Sequence, residues 1–254
     1  MSAMRSRSDG RSADALRPIA IETGIQRNPE GSVVITQGGT KVLIAATVEE
    51  GVKEFLKQSG RGWVTAEYTM HPRANPRRQA REGRNGQVSG RSQEIQRLVG
   101  RALRAAVHLE RLGERTIHID CDVLDADGGT RTASVTGGYV ALVLALDHLR
   151  KRGLVAAGVL SEPVAAISVG LHQGMALLDL CYEEDAACQV DLNLVATASG
   201  NIIEVQGTAE GDPMTRAEHD ALVDRGLLGV RTLVPLQEAA LVRAGVDLAR
   251  LRGQ

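Results

Sequence analysis

The sequence predicts an α+β fold made of two related halves, residues 1–153 and 154–254. Three observations carry that prediction. Alternating apolar and polar runs rich in Val, Ile and Thr precede stretches of helical periodicity, and this order occurs twice. A hydrophobic content of 43% over 254 residues supplies one large core or two smaller ones. The longest apolar run, residues 139–146, is far short of the roughly 20 residues of a membrane span, so apolar stretches are read as core.

In chain order, residues 32–49 (SVVITQGGTKVLIAATVE) read as a hairpin, two β-branched runs around Gln-Gly-Gly-Thr. Residues 63–70 form a further strand, and the Pro- and Arg-rich residues 71–87 a long exposed loop. Ile95, Leu98, Val99, Ala102, Leu103, Ala106 and Val107 recur at helical spacing, predicting one helix over about 90–112. Residues 116–124 alternate as a strand, and a helix is expected from near Thr132 to Arg150. In the second half, residues 165–169 read as a strand. Residues 175–181 and 189–197 are expected to form a second hairpin around Glu-Glu-Asp, followed by a strand at 202–206. Helices are expected over 215–228 and 236–249.

The polar N-terminus, MSAMRSRSDGRSADALR, lacks the apolar core of a secretory signal. Three cysteines, Cys121, Cys181 and Cys188, fit neither a paired disulfide framework nor a CxxC metal site. A soluble, cytoplasmic protein with no membrane partner is the expectation. Five aromatic residues, Phe55, Trp63, Tyr68, Tyr139 and Tyr182, argue against a module that binds RNA by base stacking.

The net charge of −1 conceals an asymmetry. Residues 1–151 hold 23 Lys/Arg against 17 Asp/Glu, whereas residues 152–254 hold 7 against 14. All but four of the basic residues are Arg, whose planar fork suits phosphate. Between positions 71 and 111 there are ten, at 73, 77, 78, 81, 84, 91, 97, 101, 104 and 111, with only three Glu. That density points to a polyanion contact.

The stretch DADGGTRTAS (125–134) lies between a strand and a helix. Gly128 and Gly129 permit a tight turn, and the helix start behind them offers unpaired N–H groups and a positive dipole end to an anion. Thr130, Thr132 and Ser134 add hydroxyls and Arg131 a full charge. No GxxxxGK[ST] occurs, which excludes a nucleoside-triphosphatase loop. Arg91 opens the other long helix at its unfavourable end, a conflict that a shared anion removes. In LDLCYEEDAACQVDLN, Asp185 and Asp191 offer oxygen ligands suited to Mg²⁺ or Mn²⁺. A solvated turn is the ordinary alternative for Asp185.

GRSQEIQRLVGRALR (90–104), DADGGTRTAS, EEDAACQVDLN and GNIIEVQGTAEG (200–211) strongly resemble the ribonuclease PH family. The likeness runs from RPIAIETG (17–24) through GWVTAEYTM and PRANPRR into the C-terminal region. The chain departs from the family pattern at His71, where Leu is expected, and Asn75, where Thr is expected. The residues before Arg5 look like an extension.

The resemblance implies the ribonuclease PH version of the ribosomal S5 domain 2-like fold and a ring-shaped homohexamer, a trimer of dimers. It implies a phosphate-dependent 3′-to-5′ exoribonuclease that trims tRNA precursors and other structured RNA with 3′ tails, releasing nucleoside diphosphates; the reverse reaction adds nucleotides. Carried over residue by residue, Gly129, Thr130 and Arg131 hold inorganic phosphate, Arg91 is a second clamp and Ser134 an additional donor. Asp185 and Asp191 match the family's acidic pair, which binds a divalent cation or supplies the proton for the leaving 3′-oxygen; the sequence leaves those roles undivided. Arg73, Arg77, Arg78 and Arg81 would track the RNA backbone. The competing readings are a non-catalytic RNA-binding subunit of an exosome-like ring and a phosphate-transfer enzyme acting on nucleotides.

Overall fold

The computed structural model describes residues 7, 9–83 and 88–254; Arg84 and the extension before Arg5 lie outside the described residues. Two sheets sandwich a buried helix. The first sheet comprises β1 (Ile19–Thr23), β2 (Gly31–Gln37), β3 (Thr40–Glu50), β4 (Trp63–Met70) and β5 (Arg115–Asp125), in the order β1-β2-β3-β5-β4. Only the β4–β5 pair is parallel. The second comprises β6 (Val164–His172), β7 (Met175–Leu178), β8 (Val190–Thr197) and β9 (Ile202–Ala209), all antiparallel in the order β7-β6-β8-β9. Between the sheets runs α3 (Thr130–Lys151), with α1 (Gly90–Arg104) and α5 (Arg216–Arg243) beside it; α2 (Leu109–Leu112), α4 (Tyr182–Ala187) and α6 (Leu248–Arg252) are short.

α3 is apolar all round, as a helix buried on every side must be. Among the described residues it is the one helix long and apolar enough to cross a membrane, yet its apolar window is 89% buried within the protein. Close approach of the first sheet depends on glycine. A Cβ on Gly31 would lie 2.1 Å from the Ala141 carbonyl oxygen of α3, and one on Gly137 would lie 2.7 Å from Ile44 Cδ1. Polar stitches tie α3 to the second sheet. Thr136 Oγ1 donates to Ala166 O and accepts from Ala166 N–H, both at 3.1 Å. Gln237 of α5, wholly buried, donates to Thr136 O at 2.8 Å and to Val164 O at 3.0 Å.

Three expectations need correction, and one strand is added. The predicted helix over 90–112 stops at Arg104, because residues 106–108 instead join the chain at 159–161: His108 N–H donates to Val159 O at 2.9 Å and Ser161 N–H to Ala106 O at 2.8 Å. The helices expected over 215–228 and 236–249 are joined in α5, which passes through Pro235 but ends at Arg243, so residues 248–249 belong to the separate α6. Burial of Leu233, Val234 and Gln237 on either side outweighs the lost hydrogen bond. β1 is the added strand; its burial alternates around a single buried Ile21, too short a signal for the pattern to announce. Lastly, residues 175–197 do not form a hairpin. β7 and β8 flank β6 on opposite sides, and the acidic segment between them is α4. Asp179, with φ of 57°, turns the chain out of β7, and three carboxylates in the first turn of α4 favour a helix through its dipole.

The glycine contact under α3 is testable. Gly31→Ala forces backbone apart from backbone, so stability should fall by about 1–3 kcal/mol, as for other overpacked sites. Thermal unfolding checks this; an unchanged midpoint would show that the sheet does not need that approach.

Candidate functional site

A tight glycine turn stands where the sequence suggests an anion site. Asp127, Gly128 and Gly129 link β5 to α3, with φ of 73° at Gly128 and 66° at Gly129. A Cβ at Gly128 would lie 2.7 Å from Leu180 O and 2.9 Å from Tyr182 N, so the turn touches the backbone that leads into α4. Thr40 Oγ1 donates to Gly128 O at 2.6 Å and accepts from Asp127 N–H at 2.9 Å. No side chain caps α3, which leaves its first-turn N–H groups for a ligand.

Beneath the turn lies a group the sequence reading missed. Arg17, 4% exposed, donates from Nε (3.1 Å) and Nη2 (2.7 Å) to Oδ1 of Asp179, which is 0% exposed. Its backbone N–H donates to Asp179 Oδ2 at 2.7 Å, and Gln37 Nε2 donates to Oδ1 at 2.7 Å. Arg17 also donates through Nη1 to Asp127 O and through Nη2 to Gly128 O at 3.5 Å. The signal for such a pair was weak, because its members lie 162 residues apart.

The predicted site residues divide as follows. Thr130 Oγ1 shares a 2.8 Å hydrogen bond with Tyr68 Oη. Burial holds the Tyr68 hydroxyl above its ordinary pKa, although Thr130, Arg91 and Arg131 pull the other way, so both arginines lie within electrostatic reach of the turn. Arg131 Nη1 donates to Gln206 Oε1 at 3.0 Å, with Glu94 Oε1 at 3.7 Å. Arg91 is exposed on the first turn of α1, whose N-cap Ser89 accepts from Ser92 N–H at 3.2 Å. Ser134 must be corrected: it is wholly buried, one turn into α3, and its hydroxyl donates to Thr130 O at 2.9 Å instead of facing the turn.

Asp185 lies on α4 and Asp191 on β8, not on one hairpin. Even so they meet electrostatically. Burial first, and then the charge of Asp191, raise the Asp185 carboxyl above the ordinary range, while Arg131, Arg91 and Arg17 favour its ionised form. α4 is held from behind. Arg7 grips Glu184 through Nε at 2.6 Å and Nη2 at 2.5 Å, and Glu184 Oε2 also accepts from Cys181 N–H at 3.1 Å. Among the described residues no group of three His, Cys, Asp or Glu side chains forms a metal cage. The carboxylate oxygens of Asp185 and Asp191 are of the donor type that suits Mg²⁺ or Mn²⁺ bound through one or two protein oxygens plus substrate phosphate.

Arg73, Arg77, Arg78 and Arg81 are all exposed, and no ion pair among the described residues engages them. Their loop is rooted beside the turn, for buried Ala74 accepts from Ala126 N–H at 2.9 Å.

The raised pKa of the Asp185 carboxyl has a consequence for stability. Its folded-state pKa lies above the unfolded value, so protonation favours the folded state, and this gain is lost as pH rises through the folded pKa. Asp185→Asn should therefore raise the melting temperature at neutral pH and leave it unchanged near pH 3, where folded and unfolded chains are both protonated. Melting curves across that range decide it; a destabilised variant at neutral pH would contradict the strained pair.

The fold agrees with known structures. Rice (Oryza sativa) Rrp46 superposes with a TM-score of 0.75 at 20% identity, covering 92% of this chain and all of that one. A chain of the Archaeoglobus fulgidus exosome, solved with RNA bound to the active site, gives 0.73 at 22% identity, covering 90% of this chain and 91% of its own. Residues 15–146 match domain 1 of the 3′ exoribonuclease family and residues 162–227 match domain 2. With both family domains present in order on this fold, the chain belongs to the 3′ exoribonuclease family typified by ribonuclease PH.

Proposed function

We propose that the chain is a phosphorolytic 3′-to-5′ exoribonuclease that trims tRNA precursors and other structured RNA with 3′ tails, releasing nucleoside diphosphates. One observation carries the reading: the uncapped, glycine-led start of α3 lies against the backbone that leads into α4, the helix of Asp185, and its Arg131 reaches Gln206 on β9, the strand paired with the β8 of Asp191. The chemistry needs both. Inorganic phosphate is an anion attacking an anionic phosphodiester, and two unit charges 4 Å apart repel by about 4 kcal/mol at an effective dielectric of 20. Gly129, Thr130 and Arg131, with Arg91, hold the nucleophile on N–H groups and guanidinium charge. The charge of Asp191 disfavours an ionised Asp185, a repulsion that protonation of Asp185 or a bound cation would relieve. A divalent cation bound there would neutralise charge on the scissile phosphate. Asp185 in its protonated form is suited to give the leaving 3′-oxygen its proton.

The exposed arginines of residues 73–81 track the RNA backbone without reading bases. The reading includes a cytoplasmic homohexamer, a trimer of dimers. Within each subunit residues 1–153 carry the phosphate turn and basic loop, and residues 154–254 the carboxylate pair. The fold shared with exosome subunits supports a second reading, a non-catalytic RNA-binding ring subunit. Retention of Arg91, Arg131, Asp185 and Asp191 favours the enzyme.

Incubating RNA with and without inorganic phosphate separates the two: nucleoside diphosphates appear only with phosphate if the chain is the enzyme. Arg131→Ala should lose at least about a hundredfold in phosphorolysis, the scale set by removing one preorganised charge-stabilising donor, while RNA binding persists. Wild-type phosphate dependence in that variant would refute the assignment.

The basic loop is tested separately. The triple replacement of Arg73, Arg78 and Arg81 by Ala should change stability by no more than about 0.5 kcal/mol, as exposed sites do. Affinity for tRNA should fall and its salt dependence become shallower, by a slope of about 0.9 per lost phosphate contact on duplex. Cleavage of a short oligonucleotide should suffer less; equal loss on both substrates would rule out a grip on the tRNA body.

A further inference from the structure

We propose that Gln206 is a positioning residue of the phosphate site: its amide fixes Arg131 without adding a charge of its own and keeps Glu94 from hydrogen-bonding to it. The proposal rests on the reading of Gly129, Thr130 and Arg131 as the phosphate site.

Arg131 has two reasons to leave that site. It is the second residue of α3, where the helix dipole repels a cation. Its long side chain also loses rotamer freedom on being ordered. Two other elements reach it. Gln206 comes from β9, and Glu94 from α1.

A carboxylate closing fully on Arg131 would hold it, but would also take the charge and the N–H groups that an incoming phosphate needs. That closure is not what the structure shows. Glu94 Oε1 stands 3.7 Å from Arg131 Nη1, beyond hydrogen-bonding distance, while the same oxygen accepts from Gln206 Nε2 at 2.8 Å. Gln206 Oε1 accepts from Arg131 Nη1 at 3.0 Å. The amide therefore stands between cation and anion, its oxygen to the guanidinium and its nitrogen to the carboxylate, the orientation that satisfies both.

A second carboxylate is held by the same amide. Glu204, two residues before Gln206, accepts from Gln206 Nε2 at 3.2 Å and lies 3.2 Å from Arg101 Nε. Glu94 thus stands as a loose ion-pair partner of Arg131 at 3.7 Å and takes none of its N–H groups. A neutral amide occupies one guanidinium N–H and leaves the other four. Glutamate at position 206 would do the opposite: it would pair with Arg131 and repel Glu94 and Glu204.

The test is steady-state phosphorolysis of one RNA by the full chain over a range of phosphate concentrations. Gln206→Leu removes both hydrogen bonds and lets Glu94 close on Arg131. The phosphate KM should rise about tenfold, equivalent to about 1.4 kcal/mol of binding, with kcat at saturating phosphate and the RNA KM within about twofold of wild type, the signature of lost ground-state binding. Gln206→Glu preserves shape and should raise the phosphate KM at least as far, which provides the measurement independently of how well the leucine variant folds. Adding Glu94→Gln to Gln206→Leu removes the competing carboxylate and should bring the phosphate KM back towards wild type, a rescue that a purely structural clip between β9 and α1 would not give. An unchanged phosphate KM in both single variants, or a rise that Glu94→Gln fails to reverse, overturns the proposal. A wild-type rate independent of phosphate would overturn the phosphate-site reading instead.

Discussion

The buried pair of Arg17 and Asp179 is the constraint around which the site is arranged. Removing a guanidinium and a carboxylate from water is costly, and leaving either one unpaired costs about 3–5 kcal/mol. The pair survives because its hydrogen bonds are nearly exhausted. Asp179 accepts from the backbone and side chain of Arg17 and from Gln37, and Arg17 spends its remaining donors on the carbonyls of Asp127 and Gly128. The N-terminal arm, the β2–β3 hairpin, the glycine turn and the end of β7 therefore meet at one point. Moving any of them would leave a buried charge unsatisfied, which makes the junction rigid.

The carboxylate pair depends on the same junction. The left-handed backbone of Asp179 ends β7 and sends the chain into α4. Arg7 binds Glu184 on two oxygens and also donates to Leu178 O at 2.6 Å and Asp179 O at 2.8 Å, clamping α4 to the strand it leaves. Burial raises the pKa of Glu184, but the bonds from Arg7 and Cys181 prevail and keep it below its ordinary value, so the clamp stays ionised. Asp185, the next residue, is carried into position beside Asp191 at the cost of its own acidity. One carboxylate is thus stabilised so that its neighbour can be strained.

What the sequence made legible was local. Residues 63–70 form β4 with the expected ends, and the hairpin, β5 and the helix after the glycine turn follow from periodicity within one segment. The errors arise where distant residues decide. Pro235 reads as a break only until the burial of its neighbours is known, and the acidic segment reads as a turn until Arg7 and Asp179 are placed beside it. Ser134 follows a run of exposed-looking hydroxyls in the sequence, yet helical geometry rotates it into the core against Thr130 O, near the Cys121 thiol that burial pushes up to about 12. Gln206 carried no signal at all, because an amide gains meaning only from the cation and carboxylate on either side of it.

The placement of the charges explains why the site lies where the two sheets meet. The arginines lie on α1 and α3, beside the first sheet, and the carboxylates on α4 and β8, beside the second. Were both sets on one short segment, they would neutralise each other as ordinary surface ion pairs worth about 0–1 kcal/mol. Held apart on separate elements, neither set can relax onto the other, and the field between them is available to a ligand instead. That arrangement demands a stiff frame. Thr136 and Gln237 bind α3 to the second sheet through buried hydrogen bonds, while Gly31 and Gly137 let the first sheet close on its other side. The same helix that fills the core also begins at the glycine turn and carries Arg131, so the placement of that cation relative to the carboxylates is fixed by core packing.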